Sequence, residues 1–162
     1  ETGAINNLEL ISHAVRRQAP NAIFHTDAVQ AACWLDLRTI WPHVDALTLS
    51  AHKFGGPKGM GIMVLRNGFN VEPLLLGGGQ ERDRRSGTHN VAGIVGTSVA
   101  LTLTDKNRAS EVARLGALRD ELIHGITNRV ECATATLAPG VGIAGTAHVC
   151  LEGLESESLL YL

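Results

Sequence analysis

The sequence has 162 residues, of which 44% are hydrophobic and 19% are charged, and its formal net charge is -2. This balance is typical of a globular chain and excludes a disordered tail. Because positive and negative residues are mixed along the chain, nothing in its charge favours nucleic acid or an anionic membrane as a partner.

The three cysteines, Cys33, Cys132 and Cys150, are far apart and odd in number. None belongs to a closely spaced pair, so the sequence indicates neither a disulfide framework nor a zinc site, and we predict a buried structural thiol at each. A reducing compartment, the cytoplasm, is the simplest location. No apolar run reaches the roughly 18 residues of a membrane span, and no secretory leader opens the chain. Both ends look cut, and we expect the sequence to be a piece of a longer protein.

The first predicted helix covers residues 7–18, where apolar residues recur at helical spacing. An acidic residue lies early in this segment and two arginines lie late, which suits the helix dipole. Pro20 ends the helix. Further on, residues 35–37 resemble a short edge strand, and residues 41–43 resemble a connection.

A polar segment follows a short predicted strand at residues 22–24. It contains Asp27 and Gln30, a carboxylate and an amide three residues apart, which can lie on one side of a turn or a nascent helix. Asp27 is equally typical of a helix N-cap after a strand. The residues alone leave a functional and a capping interpretation open.

The segment from Ser50 to Lys53 stands at the end of a predicted buried strand over residues 44–49. Glycines and a proline at residues 55–59 mark a turn that a helix cannot cross. Since α/β sheets bind ligands at the carboxyl ends of their strands, Lys53 is placed to form a Schiff base with an aldehyde, and Ser50 and His52 can hold an anion near it. The alternative is a solvated lysine in a surface loop.

Residues 61–66 predict a strand that pairs with the strand before Lys53, as a hairpin or as a neighbour. Residues 71–90 form a long glycine-rich, charged connection, and a connection of this length inside a compact domain is usually functional. Its arginines and hydroxyl groups offer hydrogen-bond donors for a phosphate or a carboxylate. The alternative is a solvated charged loop. No nucleotide P-loop motif is present.

The second half of the chain alternates between helical and extended patterns, and the change in composition predicts a domain boundary near residues 100–108. The predicted elements are helices over 90–104 and 107–129, strands over 130–137 and 145–151, and a last helix from residues 155–158 with a serine as its cap.

Six short motifs, taken together and in this order, resemble the cysteine desulfurase family, the class V branch of fold-type I pyridoxal-phosphate enzymes. They are Glu1-Thr2-Gly3, His25-Thr26-Asp27-Ala28-Val29-Gln30, Ser50-Ala51-His52-Lys53, Gly56-Pro57-Lys58-Gly59, Gly77-Gly78-Gly79-Gln80-Glu81 and Arg85-Ser86-Gly87-Thr88 with Asn90. The resemblance covers about 90 residues and is less distinctive beyond them.

The resemblance implies an α/β fold, part of the fold-type I large domain, with a mostly parallel sheet and helices on both faces, plus part of a smaller α+β domain. It assigns residues 1–104 to the carboxyl half of the cofactor-binding large domain and residues 105–162 to the start of the small domain.

The resemblance also implies one cofactor, pyridoxal 5'-phosphate, and a role toward it for six residues. Lys53 would form the Schiff base and later transfer protons, Asp27 would pair with the pyridine nitrogen, Gln30 would donate to the ring oxygen, Ser50 and His52 would bind the phosphate, and Thr88 would reach the phosphate of a neighbouring subunit. A homodimer follows from the last role.

The implied activity converts L-cysteine to L-alanine and passes the sulfur to an enzyme persulfide, for iron–sulfur clusters and other thio-cofactors. A sulfur-acceptor or scaffold protein would then be a partner, with no nucleic acid and no membrane. The family's persulfide cysteine, substrate-binding arginine and ring-stacking aromatic residue have no counterpart in this sequence. We therefore expect the 162-residue chain to be inactive by itself.

Two other interpretations stay open. The first is another class V enzyme, such as a selenocysteine lyase or an aminotransferase, although the motifs over 77–80 and 85–88 favour the desulfurase. The second is a non-catalytic interaction fragment. Against it, every cofactor position in the chain holds a chemically competent residue.

Overall fold

The computed structural model describes residues 1–161. Contacts divide the chain into two compact units, a larger one over Asn7–Lys106 and a smaller one formed by Glu1–Asn6 with the segment from Asn107 onward. The helices are α1 (Leu8–Gln18), α2 (Leu37–Ile40), α3 (Gln80–Asp83), α4 (Val91–Thr127) and α5 (Ser156–Leu160), and the strands are β1 (His25–Asp27), β2 (Ala46–Ser50), β3 (Gly61–Leu65), β4 (Ala133–Ala135) and β5 (Val149–Leu151).

A three-stranded sheet in the order β1-β2-β3 forms the centre of the larger unit. β1 runs parallel to β2, and β3 runs antiparallel to β2, with Ser50 opposite Gly61. The predicted partnership of the 61–66 segment with the strand before Lys53 is therefore confirmed. This α/β arrangement agrees with the fold class expected from the sequence.

The core of the larger unit lies against one face of this sheet. Leu47 and Leu49 of β2 point to that face and are buried, and Ala51 and Phe54 continue the core into the turn that follows. Because side chains alternate along a strand, Thr48 and Ser50 lie on the opposite face. Alternation in β2 thus separates the packed side of the sheet from the polar side.

The first helix agrees with its prediction within one residue. The Asn7 side chain accepts a hydrogen bond from the Leu10 amide at 3.0 Å and caps α1. Such a cap satisfies a backbone donor that the first turn leaves without a partner.

Two predicted strands near the start of the chain were wrong. The strand expected at residues 22–24 begins instead at His25, because His25 to Asp27 pair with β2. Residues 35–37 do not form an edge strand: the Asp36 side chain accepts the amide of Arg38 and starts the short helix α2.

The second half of the chain contains one long helix where two separate helices were predicted. Residues 90–104 and 107–129 were expected as two helical segments, but α4 runs unbroken over Val91–Thr127. The division between the two compact units falls within this helix, after Lys106. The assignment of residues 1–104 and 105–162 to a large and a small domain stays a prediction, and Leu162 lies outside the described residues.

The smaller unit contains a two-stranded antiparallel sheet. β4 and β5 pair with Thr134 opposite Cys150. Both strands are shorter than predicted, because only three residues on each pair with the other. The last helix begins after Glu155, which is its N-cap, so the prediction of a serine cap was wrong.

The cysteines are less buried than predicted. Cys150 is exposed, and Cys33 and Cys132 are half-buried. Among residues 1–161, no helix is both long enough and apolar enough to cross a membrane. Within the same range, no group of three histidine, cysteine, aspartate or glutamate side chains is placed to hold a metal ion.

Candidate functional site at the carboxyl ends of β1 and β2

The parallel pairing of β1 with β2 brings two of the predicted polar segments to one edge of the sheet. Asp27, the last residue of β1, is in register with Thr48, and the Ala28 amide donates to the Thr48 carbonyl at 3.0 Å. Ser50 ends β2 two residues further on. The Asp27 segment and the Lys53 segment therefore both begin at the carboxyl ends of neighbouring parallel strands.

Asp27 ends β1 and caps the turn that follows it, not a regular helix. One carboxylate oxygen, Oδ1, accepts the amide of Val29 at 3.0 Å, while the side chain stays exposed. Hydrogen bonds from Ala31 to Ala28 and from Trp34 to Ala31 continue this segment as turns. The helix N-cap interpretation is therefore wrong, since the side chain caps a turn, and the second carboxylate oxygen is left available to a ligand. Gln30, in the same turn, is also exposed.

Ser50 and His52 form a polar pair beside Lys53. The Ser50 hydroxyl and His52 Nδ1 share a hydrogen bond at 2.9 Å, and the other ring nitrogen of His52 faces away from this bond. Lys53 belongs to the 3-10 turn Ala51–Phe54, and its side chain is exposed. Within residues 1–161, its amine makes neither a hydrogen bond nor an ion pair with another side chain.

Two glycines close the turn that carries Lys53. Gly55 has a left-handed φ of 80°, and both its amide and that of Gly56 donate to the Ala51 carbonyl. A Cβ added to Gly56 would lie 2.9 Å from the Ala51 Cβ and 3.0 Å from its carbonyl oxygen. The glycine-rich sequence after Lys53 is therefore a steric requirement of this turn.

The sequence interpretation missed a pair of residues on the polar face of the sheet. His25 Nε2 and the Thr48 hydroxyl are 3.1 Å apart. Both share the face of Asp27 and Ser50, because residues two apart on a strand point to the same side. The alternation of apolar and polar residues within β2 already indicates that Thr48 lies on the polar face. Only the register with β1 shows that His25 is its neighbour.

Thr88 lies in the loop before α4, and none of the hydrogen bonds among residues 1–161 joins its side chain to Asp27, Ser50 or Lys53. The loop is closed by its own contacts. The Gln80 side-chain oxygen accepts the Gly87 amide at 2.8 Å, and the Ser86 hydroxyl accepts the Gly79 amide at 3.3 Å.

The α3 turn at the start of this loop has an unusual backbone. Glu81, Arg82 and Asp83 have φ values of 53°, 57° and 63°, which L residues rarely adopt. The long connection predicted over residues 71–90 is thus an ordered loop with its own internal hydrogen bonds.

The residues at this edge offer four different kinds of functional group, and each kind can bind a different part of a single ligand. A carboxylate, an amide, a hydroxyl with an imidazole, and a primary amine are all accessible from solvent. An amine can attack an aldehyde, a carboxylate can pair with a protonated ring nitrogen, and hydroxyl and imidazole groups can bind a phosphate. This set suits an aromatic aldehyde that carries an anionic arm.

Comparison with known proteins gives one consistent result. The family described as Aminotransferase class-V matches residues 1–162. A cysteine desulfurase of Gluconacetobacter diazotrophicus is 41% identical over 162 residues, which cover 100% of this chain and 40% of that protein. Cysteine desulfurase IscS of Clostridium botulinum is 42% identical over 130 residues, which cover 80% of this chain and 32% of that protein.

Solved structures agree with the sequence comparisons. A structure titled NifS-like protein superposes with a TM-score of 0.88 and 34% identity, over 100% of this chain and 44% of the other. The chain spans about 40% of the length of the curated relatives that it matches over its full length. The resemblance stated from the motifs is confirmed, and so is the fold class.

Proposed function

The chain belongs to the class-V aminotransferase family, and from that membership we propose that it supplies the cofactor-binding part of a pyridoxal-phosphate-dependent cysteine desulfurase. The observation that carries the proposal is that Asp27 ends β1 while Ser50, His52 and Lys53 end or follow β2, so that all four stand at the carboxyl ends of two parallel strands. The donor set fits pyridoxal 5'-phosphate, because each functional group of that molecule has a partner of the right chemistry at this edge.

When bound, pyridoxal phosphate supplies an aldehyde for an amine and a ring that withdraws electrons from the substrate. Asp27 holds a negative charge at the ring nitrogen and thereby favours its protonated form. Its turn hydrogen bond to the Val29 amide fixes one carboxylate oxygen and orients the other. Gln30 donates to the ring oxygen from the same turn.

Ser50 and His52 bind the phosphate. Their shared hydrogen bond orients the hydroxyl and the imidazole relative to each other before any ligand arrives. This preorganisation lowers the entropy cost of binding an anion. Thr88 would add a further hydroxyl from the neighbouring subunit of a homodimer.

Lys53 would be the residue whose amine meets the aldehyde of the bound cofactor, and the same amine would serve as the base that moves protons of the substrate. The side chain is suited to both tasks because its amine makes no hydrogen bond or ion pair with another side chain among the described residues. In the proposed reaction the carbon–sulfur bond of L-cysteine breaks, alanine is released, and a cysteine thiolate outside this sequence takes the sulfur as a persulfide. A sulfur-acceptor or scaffold protein would then receive the sulfur, and a cytoplasmic location stays a prediction.

The test is covalent labelling of the full-length protein that carries this sequence. The protein is mixed with pyridoxal phosphate, its visible spectrum is recorded, and the adduct is reduced with borohydride and mapped. We expect a visible absorption band and label on Lys53, with the Lys53→Ala variant losing both. Lys58 and Lys106 are the internal controls. Label scattered over those two lysines would contradict the proposed site.

The reaction products of the full-length protein distinguish a cysteine desulfurase from an aminotransferase, a selenocysteine lyase and a non-catalytic protein. A desulfurase releases alanine from L-cysteine and leaves a persulfide on the enzyme. An aminotransferase would produce a keto acid instead, and a selenocysteine lyase would act far better on the selenium substrate. A non-catalytic fragment would give none of these.

A further inference from the structure

In the turn that carries Lys53, the backbone carbonyls of Lys53 and Phe54 accept no hydrogen bond from an amide of the same turn. The Ala51 carbonyl accepts the amides of both Gly55 and Gly56. The last carbonyls of any helical turn lack amide partners, and other groups must satisfy them. In this turn those carbonyls belong to Lys53 and Phe54.

Two side chains from different elements satisfy them. The Cys33 thiol donates to the Lys53 carbonyl at 3.2 Å, and the Thr104 hydroxyl donates to the Phe54 carbonyl, also at 3.2 Å. Cys33 lies in the turns that follow β1, whereas Thr104 lies on α4. The turn is therefore attached through consecutive carbonyls to two separate parts of the larger unit.

These attachments matter because no side chain among the described residues holds the Lys53 amine directly. Its amine has no partner among residues 1–161, so the direction of the side chain depends on the backbone of the turn. A reacting group displaced by about 1 Å can lose a large part of its effectiveness. From this geometry we infer that Cys33 and Thr104 are positioning residues for the Lys53 amine, an inference that rests on the proposed function.

The two donors differ in strength, and the difference provides a test. A thiol is a weak donor, and a hydroxyl of similar size donates more strongly. Cys33→Ser and Thr104→Ser keep a donor in place, whereas Cys33→Ala and Thr104→Val remove it. A position needed only to fill space would not distinguish serine from alanine in this way.

The experiment uses the full-length protein with pyridoxal phosphate as the probe. The dissociation constant is measured by absorbance titration, and the share of borohydride label on Lys53 relative to Lys58 is measured by peptide mapping. Matched controls are Cys132→Ala and Thr102→Val. Thr102 lies on the same helix as Thr104, but its hydroxyl bonds to the Ser98 carbonyl of that helix.

Loss of one net hydrogen bond of this kind corresponds to roughly a threefold to tenfold change in an equilibrium constant. We expect each of Cys33→Ala and Thr104→Val to weaken cofactor binding by about that factor and to shift label from Lys53 toward Lys58. Both serine variants should restore wild-type values, and both controls should leave them unchanged.

Two results would overturn the inference in distinguishable ways. If the wild-type protein labels Lys53 and both single variants match it in affinity and label distribution, the positioning role fails while the proposed function stands. If the wild-type protein does not label Lys53, the proposed function fails and the inference falls with it. Should Cys33→Ala or Thr104→Val not fold, Cys33→Val or Thr104→Ala takes its place, because each of these also removes the donor and is compared with the serine variant at the same position.

Discussion

At the residue scale, Asp27 is the group whose charge the proposed chemistry needs most. It ends β1, is exposed, and uses one carboxylate oxygen to hold its own turn. Its turn contact would survive replacement by asparagine, since the side-chain oxygen remains an acceptor. The negative charge at the ring nitrogen would not survive.

We therefore expect Asp27→Asn to weaken pyridoxal phosphate binding by about 10-fold to 100-fold, the range of a charge-assisted hydrogen bond. Absorbance titration of the full-length protein measures this. Asp36→Asn is the matched control, because Asp36 also accepts an amide two residues further on but starts α2 and lies outside the site. Equal effects of the two substitutions would argue against a role of the Asp27 charge.

At the element scale, a buried carboxylate joins α1 to the sheet. Asp45 is 3% exposed and precedes β2. Arg16 of α1 donates to both of its oxygens at 2.7 Å, the Phe24 amide donates to it at 2.9 Å, and Arg66 lies 3.7 Å away. The same contacts hold Phe24 in place just before β1, which helps to set where that strand begins.

These contacts govern the ionisation of Asp45. Burial opposes the charged form most strongly, but the hydrogen bonds from Arg16 and Phe24 and the charges of Arg16 and Arg66 outweigh it and lower the pKa of Asp45 below its ordinary value. A carboxyl with a lowered pKa in the folded state contributes stability above its unfolded pKa, near 4, and that stability is lost as the pH falls through the folded value.

We expect Asp45→Asn to lower the free energy of unfolding at pH 7 by about 3 kcal/mol, because it removes one partner of a buried ion pair. The loss should shrink as the pH falls below about 4, where the unfolded chain takes up a proton at this carboxyl, and should be smallest below the lowered folded pKa of Asp45, where the folded carboxyl is neutral too. Urea unfolding of the full-length protein at several pH values measures both effects. Asp105→Asn is the control: Asp105 pairs with Arg38 at 3.3 Å on the surface, where such pairs contribute at most about 1 kcal/mol. A pH-independent loss at Asp45 would contradict this account.

At the scale of the whole molecule, the proposal concerns a dimer in which Thr88 serves the neighbouring subunit. Thr88 is exposed, and its side chain is joined by no hydrogen bond to the Lys53 site of the same chain within residues 1–161. Leu74 and Leu76, in the connection that leads to Thr88, are 98% and 83% exposed. Exposed large apolar side chains in an ordered loop are consistent with a contact surface.

Mixing two inactive or impaired variants of the full-length protein tests this arrangement. A dimer of one Lys53→Ala subunit and one Thr88→Val subunit would contain one site with both residues intact. After denaturation and refolding together in equal amounts, we expect recovery of about a quarter of wild-type alanine production, since about half of the dimers are mixed and each has one intact site.

The control mixture combines the Lys53→Ala protein with a Lys53→Ala/Thr88→Val double variant, in which no dimer has an intact lysine. That mixture should stay inactive. If the first mixture shows only the average of its two components, Thr88 does not act across subunits.

Local sequence patterns predicted the parts of the structure that depend on near neighbours. The segment over residues 7–18 contains its own cap and apolar spacing, so α1 agrees with its prediction. The polar residues at Asp27 and Lys53 were found because each follows an apolar run, and the glycines after Lys53 because a tight turn requires them. These features need no knowledge of the remaining chain.

Pairing across the sheet could not be predicted in this way. Apolar residues 22–24 were taken as the strand, but the register with β2 places it at His25–Asp27. The same register brings His25 to Thr48, and the folding of the larger unit brings Cys33 and Thr104 to the turn of Lys53. In each case the partners are at least twenty residues apart, and no periodicity in the chain relates them.

The sequence by itself determined which side chains are candidates for the chemistry and their order along the chain, and through the motifs it indicated the family to which the chain belongs. Only the tertiary structure decided which strand ends are adjacent, which carbonyls of the Lys53 turn need outside donors, and that α4 continues through residues 100–108 without a break. The physical reason is that residue type and spacing act locally, through backbone dihedral angles and side-chain periodicity. Register, burial and hydrogen-bond partners instead depend on contacts between distant segments, which form only when the chain folds.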